Sequence, residues 1–131
     1  MAALLNDAVR GLADGPNFAT LATINPDGSP QTSVMWVGLD GDDLVFSTVA
    51  GRRKVRNMER EPRVSVTIVD HADPYNYVEI RGLATIEPEG GVELDHKLSW
   101  VYDGKAAEPD APGVVRVVAR VTPTRTTGYA A

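Results

Sequence analysis

The chain has 131 residues, 43% of them hydrophobic and 24% charged, with a formal net charge of −5. That length suits one domain (1–131) able to bury about two-thirds of its unfolded surface without a staple. The absence of cysteine excludes a disulfide framework, a thiol nucleophile, a thiolate zinc site and a cysteine-ligated iron–sulfur cluster. The acidic balance argues against general nucleic-acid binding. No run of 18 apolar residues offers a membrane-spanning helix, and MAALLNDAVRGLADG lacks the basic start and long apolar stretch of a secretory signal. A soluble, cytoplasmic domain is the expectation.

In chain order, residues 2–13 read as a short amphipathic helix, with Leu4, Leu5, Ala8, Val9 and Leu12 at spacings of three and four. FATLATI (18–24) alternates as a strand. Asn25-Pro26-Asp27-Gly28 carries the signals of a type I hairpin turn, and QTSVMWVGL (31–39) is the returning strand. Asp40-Gly41-Asp42 turns the chain again into LVFST (44–48). These three strands form an antiparallel meander. GRRKVRNMERE (51–61) changes period and reads as a short helix that Pro62 stops. RVSVTIVD (63–70) and YVEIRGLATIE (77–87) alternate cleanly across the loop HADPYN (71–76). Gly82 marks a bulge or a close backbone approach in the second of them. Residues 92–102 are helical, 103–113 are loop, and VVRVVARVTP (114–123) is the last strand. The tail 124–131 is expected to be ordered only in part. Six strands with short flanking helices point to a mainly β, antiparallel, closed or partly closed barrel.

Chemical signals are concentrated in one place. Arg52, Arg53, Lys54, Arg56, Arg60 and Arg63 put six of the thirteen cations into twelve residues. Two readings stand open: a solvated helix face, supported by Glu59 and Glu61, or a local anion site. Ser47 and Thr48 end a strand, and Arg52, Arg53 and Lys54 open the helix that follows. Hydroxyls, two kinds of cation and a helix N-terminus converging there suit a phosphate. Elsewhere the signals are weak. His71 and His96 have no partners at metal-ligand spacing, so no metal site is expected. Asp40-Gly41-Asp42-Asp43 lacks the pattern of a calcium loop. No G-x-S-x-G, P-loop or G-x-G-x-x-G is present. No proton donor stands out, and the catalytic residue is left unassigned.

The block from Phe18 to Val64 resembles a known family. Its hallmarks are LATINPDGSPQ before a V-x-W strand, then F-S-T, then G-R-R-K-x-R-N, then P-R-V. Together they resemble the flavin-binding split β-barrel family related to pyridoxamine 5'-phosphate oxidase, most closely its actinobacterial branch of coenzyme F420 (deazaflavin)-dependent oxidoreductases. PYNYVEIRGLATI and RVVARVTPTRTTGY match later strands of that branch, so the likeness covers about residues 15–129.

The resemblance implies a six-stranded split barrel and a homodimer with its cofactor site at the interface. It assigns the cofactor phosphate to Arg52 and Lys54 with Ser47 and Thr48, and places Arg53 beside them with a solvent-facing position as its alternative. The tricyclic ring falls on the strand Gln31, Thr32, Ser33, Val34, Met35 and Trp36, chiefly through backbone groups, and Gln31 is suited to a ring edge or the ribityl chain. Tyr75 and Tyr77, with Asn76, match a segment contributed by the neighbouring subunit, and Trp100 and Tyr129 are further candidates. The implied cofactor is coenzyme F420, with FMN as the alternative. The implied function is hydride transfer to an electron-poor small molecule. An FMN-dependent oxidoreductase and a non-catalytic cofactor carrier are the competing functions. A pyridoxamine 5'-phosphate oxidase proper fits less well, because the chain is short and offers no second basic cluster for a substrate phosphate.

Overall fold

A computed structural model describes residues 4–131. Residues 2 and 3 of the expected N-terminal helix lie outside that range. The helix α1 spans Asp7–Asp14 and starts later than expected, because the Asn6 side chain accepts the Val9 N–H at 2.8 Å and caps it. The strands are β1 (Ala19–Ile24), β2 (Pro30–Met35), β3 (Gly38–Asp40), β4 (Asp43–Val49), β5 (Arg63–Val69), β6 (Tyr77–Glu87) and β7 (Arg116–Thr127). Helix α2 (Arg53–Arg60) joins β4 to β5, and α3 (Gly91–Asp103) follows β6. None of the described helices is long and apolar enough to cross a membrane.

All seven strands form one antiparallel sheet, in the order β2-β1-β5-β6-β7-β4-β3. Its two edge strands, β2 and β3, are consecutive parts of one extended run, separated only by Trp36 and Val37. The chain therefore crosses from one edge of the sheet to the other and closes it into a barrel, split where that crossing occurs.

The crossing corrects the expectation of six strands: residues 31–39 are two strands, not one. Met35 still pairs with Ala19 on β1, whereas Gly38 pairs with Val45 on β4. Neither ladder serves Val37 between them. The Tyr102 hydroxyl takes over, accepting the Val37 N–H at 3.0 Å and donating to the Asn17 carbonyl at 2.8 Å. A buried backbone group left unpaired would be costly, and this phenol of α3 supplies the missing partner. Burial pushes the Tyr102 phenol up from its usual pKa, so the proton it donates is firmly held.

The barrel interior follows the alternation of the strands. Leu21, Leu44, Phe46, Val66, Ile68, Val78, Ile80 and Val121 are buried together, and Val9 and Leu12 of α1 join them. Helix α3 is less regular than its sequence period suggests: Leu98 is buried, but Val92 and Val101 are exposed.

Gly82 sits at a register shift in the β6–β7 ladder, and a Cβ there would lie 2.5 Å from the Thr122 carbonyl oxygen. The bulge and the close approach are thus one feature. Because the obstacle is backbone, Gly82→Ala is expected to destabilise the fold by about 1–3 kcal/mol, the usual range for overpacking. Thermal melting of that variant checks it.

The C-terminal tail is more ordered than its composition suggests. β7 continues through Thr127, pairing Arg125 with Arg81 and Thr127 with Glu79. The Ala130 N–H then donates to the Tyr77 carbonyl at 3.0 Å, and Asn6 Nδ2 donates to the Ala130 carbonyl at 3.0 Å. The residue that caps α1 is thereby tied to the end of the chain. Runs of threonine suit an extended, paired strand, which is why 124–127 join the sheet.

Candidate functional site at the split of the barrel

Continuing the β3–β4 register backwards would set Trp36 opposite Ser47 and Met35 opposite Thr48. Those pairs do not form, because β2 has gone to β1 and the far side of β4 at Ser47–Val49 is left without a strand. The gap is a pocket of about 260 Å³ lined by Val34, Met35 and Trp36 on one side and Ser47 and Thr48 on the other. Arg52 and Lys54 close one end; Phe18, Asp95, Leu98 and Arg116 complete it. Strand edges that have lost a neighbour keep backbone donors and acceptors unused, so the split offers both a flat apolar wall and backbone hydrogen-bonding groups.

The cations arrive by way of α2. Arg52 is its N-cap residue, with extended backbone and no side-chain cap. The first turn of α2 therefore presents unsatisfied N–H groups beside Arg52 and Lys54. Lys54 is half-buried, and its Nζ donates to Ser33 Oγ at 3.3 Å. Burial, and secondarily the neighbouring Arg52 charge, lower its pKa from the usual lysine value. A bound anion would offset the repulsion from Arg52 and pair with a charge that burial leaves poorly solvated.

The hydroxyls differ. Ser47 Oγ donates to the Gly91 carbonyl at 2.7 Å and accepts from Arg116 Nη1 at 3.4 Å. Thr48 Oγ1 is buried and has no hydrogen-bond partner. A buried hydroxyl without a partner is uncommon and costs stability. Here it belongs to the lining of a pocket that also holds Arg52, Lys54 and Arg116. That donor set fits a phosphate: one unsatisfied hydroxyl, one ammonium, one guanidinium and a helix start.

The opposite end is aromatic. Trp36 stacks on Tyr102 with ring centroids 5.3 Å apart and 16° between planes, and Phe18 meets the same Tyr102 at 5.8 Å. Tyr102 is fixed by its hydrogen bonds to the crossing, so it holds Trp36 and Phe18 in place.

Of the residues singled out from the sequence, the structure brings Val34, Met35, Trp36, Ser47, Thr48, Arg52 and Lys54 into one pocket, with Ser33 bonded to its lysine. Gln31 is elsewhere: its Oε1 accepts from Thr23 Oγ1 at 2.7 Å, within a network under α2. Arg53 is exposed and does not line the pocket. Tyr75 and Tyr77, which the resemblance assigns to the site of a neighbouring subunit, are 82% and 40% exposed. Sequence reasoning missed Phe18, Asp95, Leu98 and Arg116 as lining residues. Arg116 opens β7 and Asp95 lies on α3, so no short motif joins them to the basic segment. Among the described residues no group of His, Cys, Asp or Glu is arranged to hold a metal ion.

The fold is a seven-stranded split barrel with a pocket at its split that Arg52, Lys54 and Arg116 help to line. The chain belongs to the pyridoxamine 5'-phosphate oxidase family, which it matches over residues 5–128. A pyridoxine/pyridoxamine 5'-phosphate oxidase of Kineococcus radiotolerans is 32% identical over 67% of this chain and 39% of its own length. That of Rubrobacter xylanophilus is 41% identical over 46% of this chain and 28% of its own. The chain thus spans well under half the length of these curated relatives. Among solved structures, an F420 reductase superposes with a TM-score of 0.81 at 38% identity, over 90% of this chain and 94% of the other. A conserved hypothetical protein of Mycobacterium tuberculosis gives a TM-score of 0.68 at 28% identity, over 96% and 86%.

Proposed function

We propose that this protein is a coenzyme F420-dependent oxidoreductase whose cofactor binds at the split of the barrel. The observation that carries the reading is the pocket in which Arg52, Lys54 and the unpartnered Thr48 hydroxyl converge beside an open strand edge. Its likeness to an F420 reductase along nearly the whole of both chains supports the choice of cofactor. Arg52, Lys54, Thr48 and the start of α2 would hold the phosphate, and Val34, Met35 and Trp36 would face the ring. When bound, a reduced deazaflavin supplies a hydride. The chain's own part is to bind, orient and shield: Lys54 and Arg52 fix one end, and the Phe18–Trp36–Tyr102 group shields the other.

FMN is the second reading, favoured by the naming of the curated relatives as pyridoxine/pyridoxamine 5'-phosphate oxidases. The absorbance and mass of the co-purifying molecule, followed by titration with both cofactors, tests the choice. Oxidation of the reduced cofactor by enones or quinones separates an enzyme from a carrier.

Coenzyme F420 also has an anionic oligoglutamate tail. Arg53 and Arg56 are exposed on α2, next to the pocket's cationic end. The deazaflavin is therefore expected to bind more tightly than FMN, and that advantage to shrink as salt rises, because exposed charges are screened over about 8 Å at physiological salt. Fluorescence titrations at low and high salt, with and without the glutamates, check this. Tighter FMN binding under all conditions would overturn the choice of cofactor.

The reading includes a homodimer. Tyr75 and Tyr129 are more than three-quarters exposed and Tyr77 partly so, and exposed aromatic residues of this kind suit a subunit contact. Light scattering at micromolar concentration is expected to give twice the chain mass, and a monomer would remove the dimer from the reading.

A further inference from the structure

Between the cationic end of the pocket and its aromatic end stands a carboxylate that the proposed cofactor contacts leave unused. Asp95 lies on α3 and lines the pocket, with Leu98 one turn further along the same face. Its side chain is 16% exposed, and its ionic partner is Arg116, whose Nη1 lies 3.4 Å from Oδ1. That separation is long for a charge-assisted hydrogen bond. The rest of the guanidinium is committed elsewhere: Nε and Nη2 donate to the two carboxylate oxygens of Asp110 at 2.7 and 2.9 Å. Among the described residues no hydrogen bond reaches either oxygen of Asp95. An ionised carboxylate has about four acceptor sites. Asp95 is therefore a shielded acceptor with unused capacity in the wall of an open cavity.

Its place along the pocket follows from β4. Arg116 Nη1 also lies 3.4 Å from Ser47 Oγ, which sets Asp95 beside Ser47. Thr48 is the next residue of β4, and Arg52 and Lys54 follow at the start of α2. On the other side of Ser47, Leu98 packs against Gly38, the ladder partner of Val45, and Trp36 stacks on Tyr102. A ligand held by an anion at Arg52 and Lys54 and by a ring at Trp36 therefore passes Asp95 with its middle.

We infer that Asp95 is a specificity residue that accepts hydrogen bonds from hydroxyl groups in the middle of the ligand, on the polyol chain joining phosphate to ring. A cationic group there is opposed by Arg52, Lys54 and Arg116 in the same pocket, and an anionic one by the carboxylate itself. An apolar chain would strip water from the carboxylate and return no hydrogen bond. A neutral donor meets none of these costs. The inference rests on the cofactor reading, in which coenzyme F420 and FMN both carry a ribityl chain between phosphate and ring. Gln31, the residue the sequence suggested for that chain, is bonded to Thr23 and does not line the pocket.

The test uses two pairs of probes: FMN and 5-deazariboflavin 5'-phosphate, each against its analogue with hydrogen in place of the ribityl hydroxyls. Each is titrated by fluorescence into the wild type, Asp95→Ala and Asp95→Asn. Arg116 keeps both bonds to Asp110 in these variants, so they are expected to fold, and melting curves establish it. The wild type, whose comparison needs no variant, is expected to prefer the hydroxylated member of each pair by roughly tenfold or more, the scale of a hydrogen bond to a charged acceptor. Asp95→Ala is expected to lose most of that preference and to bind the hydroxyl-free probes as well as the wild type does, with Asp95→Asn between them. A carboxylate that merely steadies Arg116 would instead weaken both members of a pair equally when removed. Equal losses, a wild type without the preference, or a preference that survives both substitutions would overturn the inference and leave the cofactor reading standing. No binding of any probe by the wild type would overturn both.

Discussion

Lys54→Met is expected to weaken cofactor binding by roughly ten- to a hundredfold, the equivalent of losing one charge-assisted hydrogen bond worth about 1.5–3 kcal/mol. The same variant is expected to be at least as stable as the wild type. Lys54 is half-buried beside Arg52 and gains only a 3.3 Å bond to a serine hydroxyl. A lysine whose pKa is lower folded than unfolded carries a cost at neutral pH, where it is charged in both states. That cost disappears only as pH rises through the lowered value. The stability gap between methionine and lysine should therefore close toward alkaline pH. Anion binding runs the other way. The charged amine is the form that holds the phosphate, so wild-type affinity should begin to fall at a pH below the ordinary lysine range, and Lys54→Met should lack that decline. Melting curves and cofactor titrations across neutral to alkaline pH measure both. Arg52→Ala should weaken binding similarly. Arg53→Ala should leave FMN affinity nearly unchanged, because Arg53 lies outside the pocket. Equal losses at all three positions would mean that a diffuse field, not these two side chains, binds the anion.

Much of this site was legible because it is local. Ser47, Thr48, Arg52 and Lys54 fall within eight residues, so a strand end and a helix start were enough to bring them together. The alternation of β5 and β6, and the significance of Gly82, were legible for the same reason: each depends on near neighbours or on the absence of a side chain. What stayed hidden depends on distant parts of the chain. The run QTSVMWVGL has no residue that marks a break. It breaks because Tyr102, 65 positions from Val37, replaces the ladder partners at the crossing. Asp95 and Arg116 join the pocket only when α3 and β7 pack beside β4. The Arg cluster 52–63 also has more than one use. Arg63 pairs with Glu61 at 2.7 Å, whereas Arg52 lines the pocket. Counting cations in a window cannot separate those duties, because the face each one takes is set by packing.

The second large effect is on the frame that holds α2. Asn57→Leu is expected to destabilise the protein by about 2–4 kcal/mol, although leucine is close to asparagine in size and more apolar. Asn57 is fully buried. Its Nδ2 donates to Thr23 Oγ1 at 3.0 Å and to Asn25 Oδ1 at 2.9 Å, while Thr23 Oγ1 donates to Gln31 Oε1. Arg60 reaches Asn57 Oδ1 at 3.4 Å and also donates to the Ile24 carbonyl. One side chain thus ties α2 to β1 and to the hairpin turn, and through Thr23 to Gln31 of β2. Leucine would leave the buried Thr23 hydroxyl without its donor and the Asn25 carbonyl oxygen without a partner. Each such loss costs about 1–3 kcal/mol, and the added apolar surface offsets part of it. Arg60 belongs to this frame through the hairpin carbonyl it holds, so Arg60→Ala should lower stability by a smaller amount and leave the salt dependence of cofactor binding unchanged. Denaturant unfolding of both variants measures the first effect. If Asn57→Leu melts with the wild type, the network is ornamental and packing alone positions α2. If it is destabilised as expected, cofactor affinity should fall too, because Arg52 and Lys54 sit at the start of the helix that Asn57 anchors.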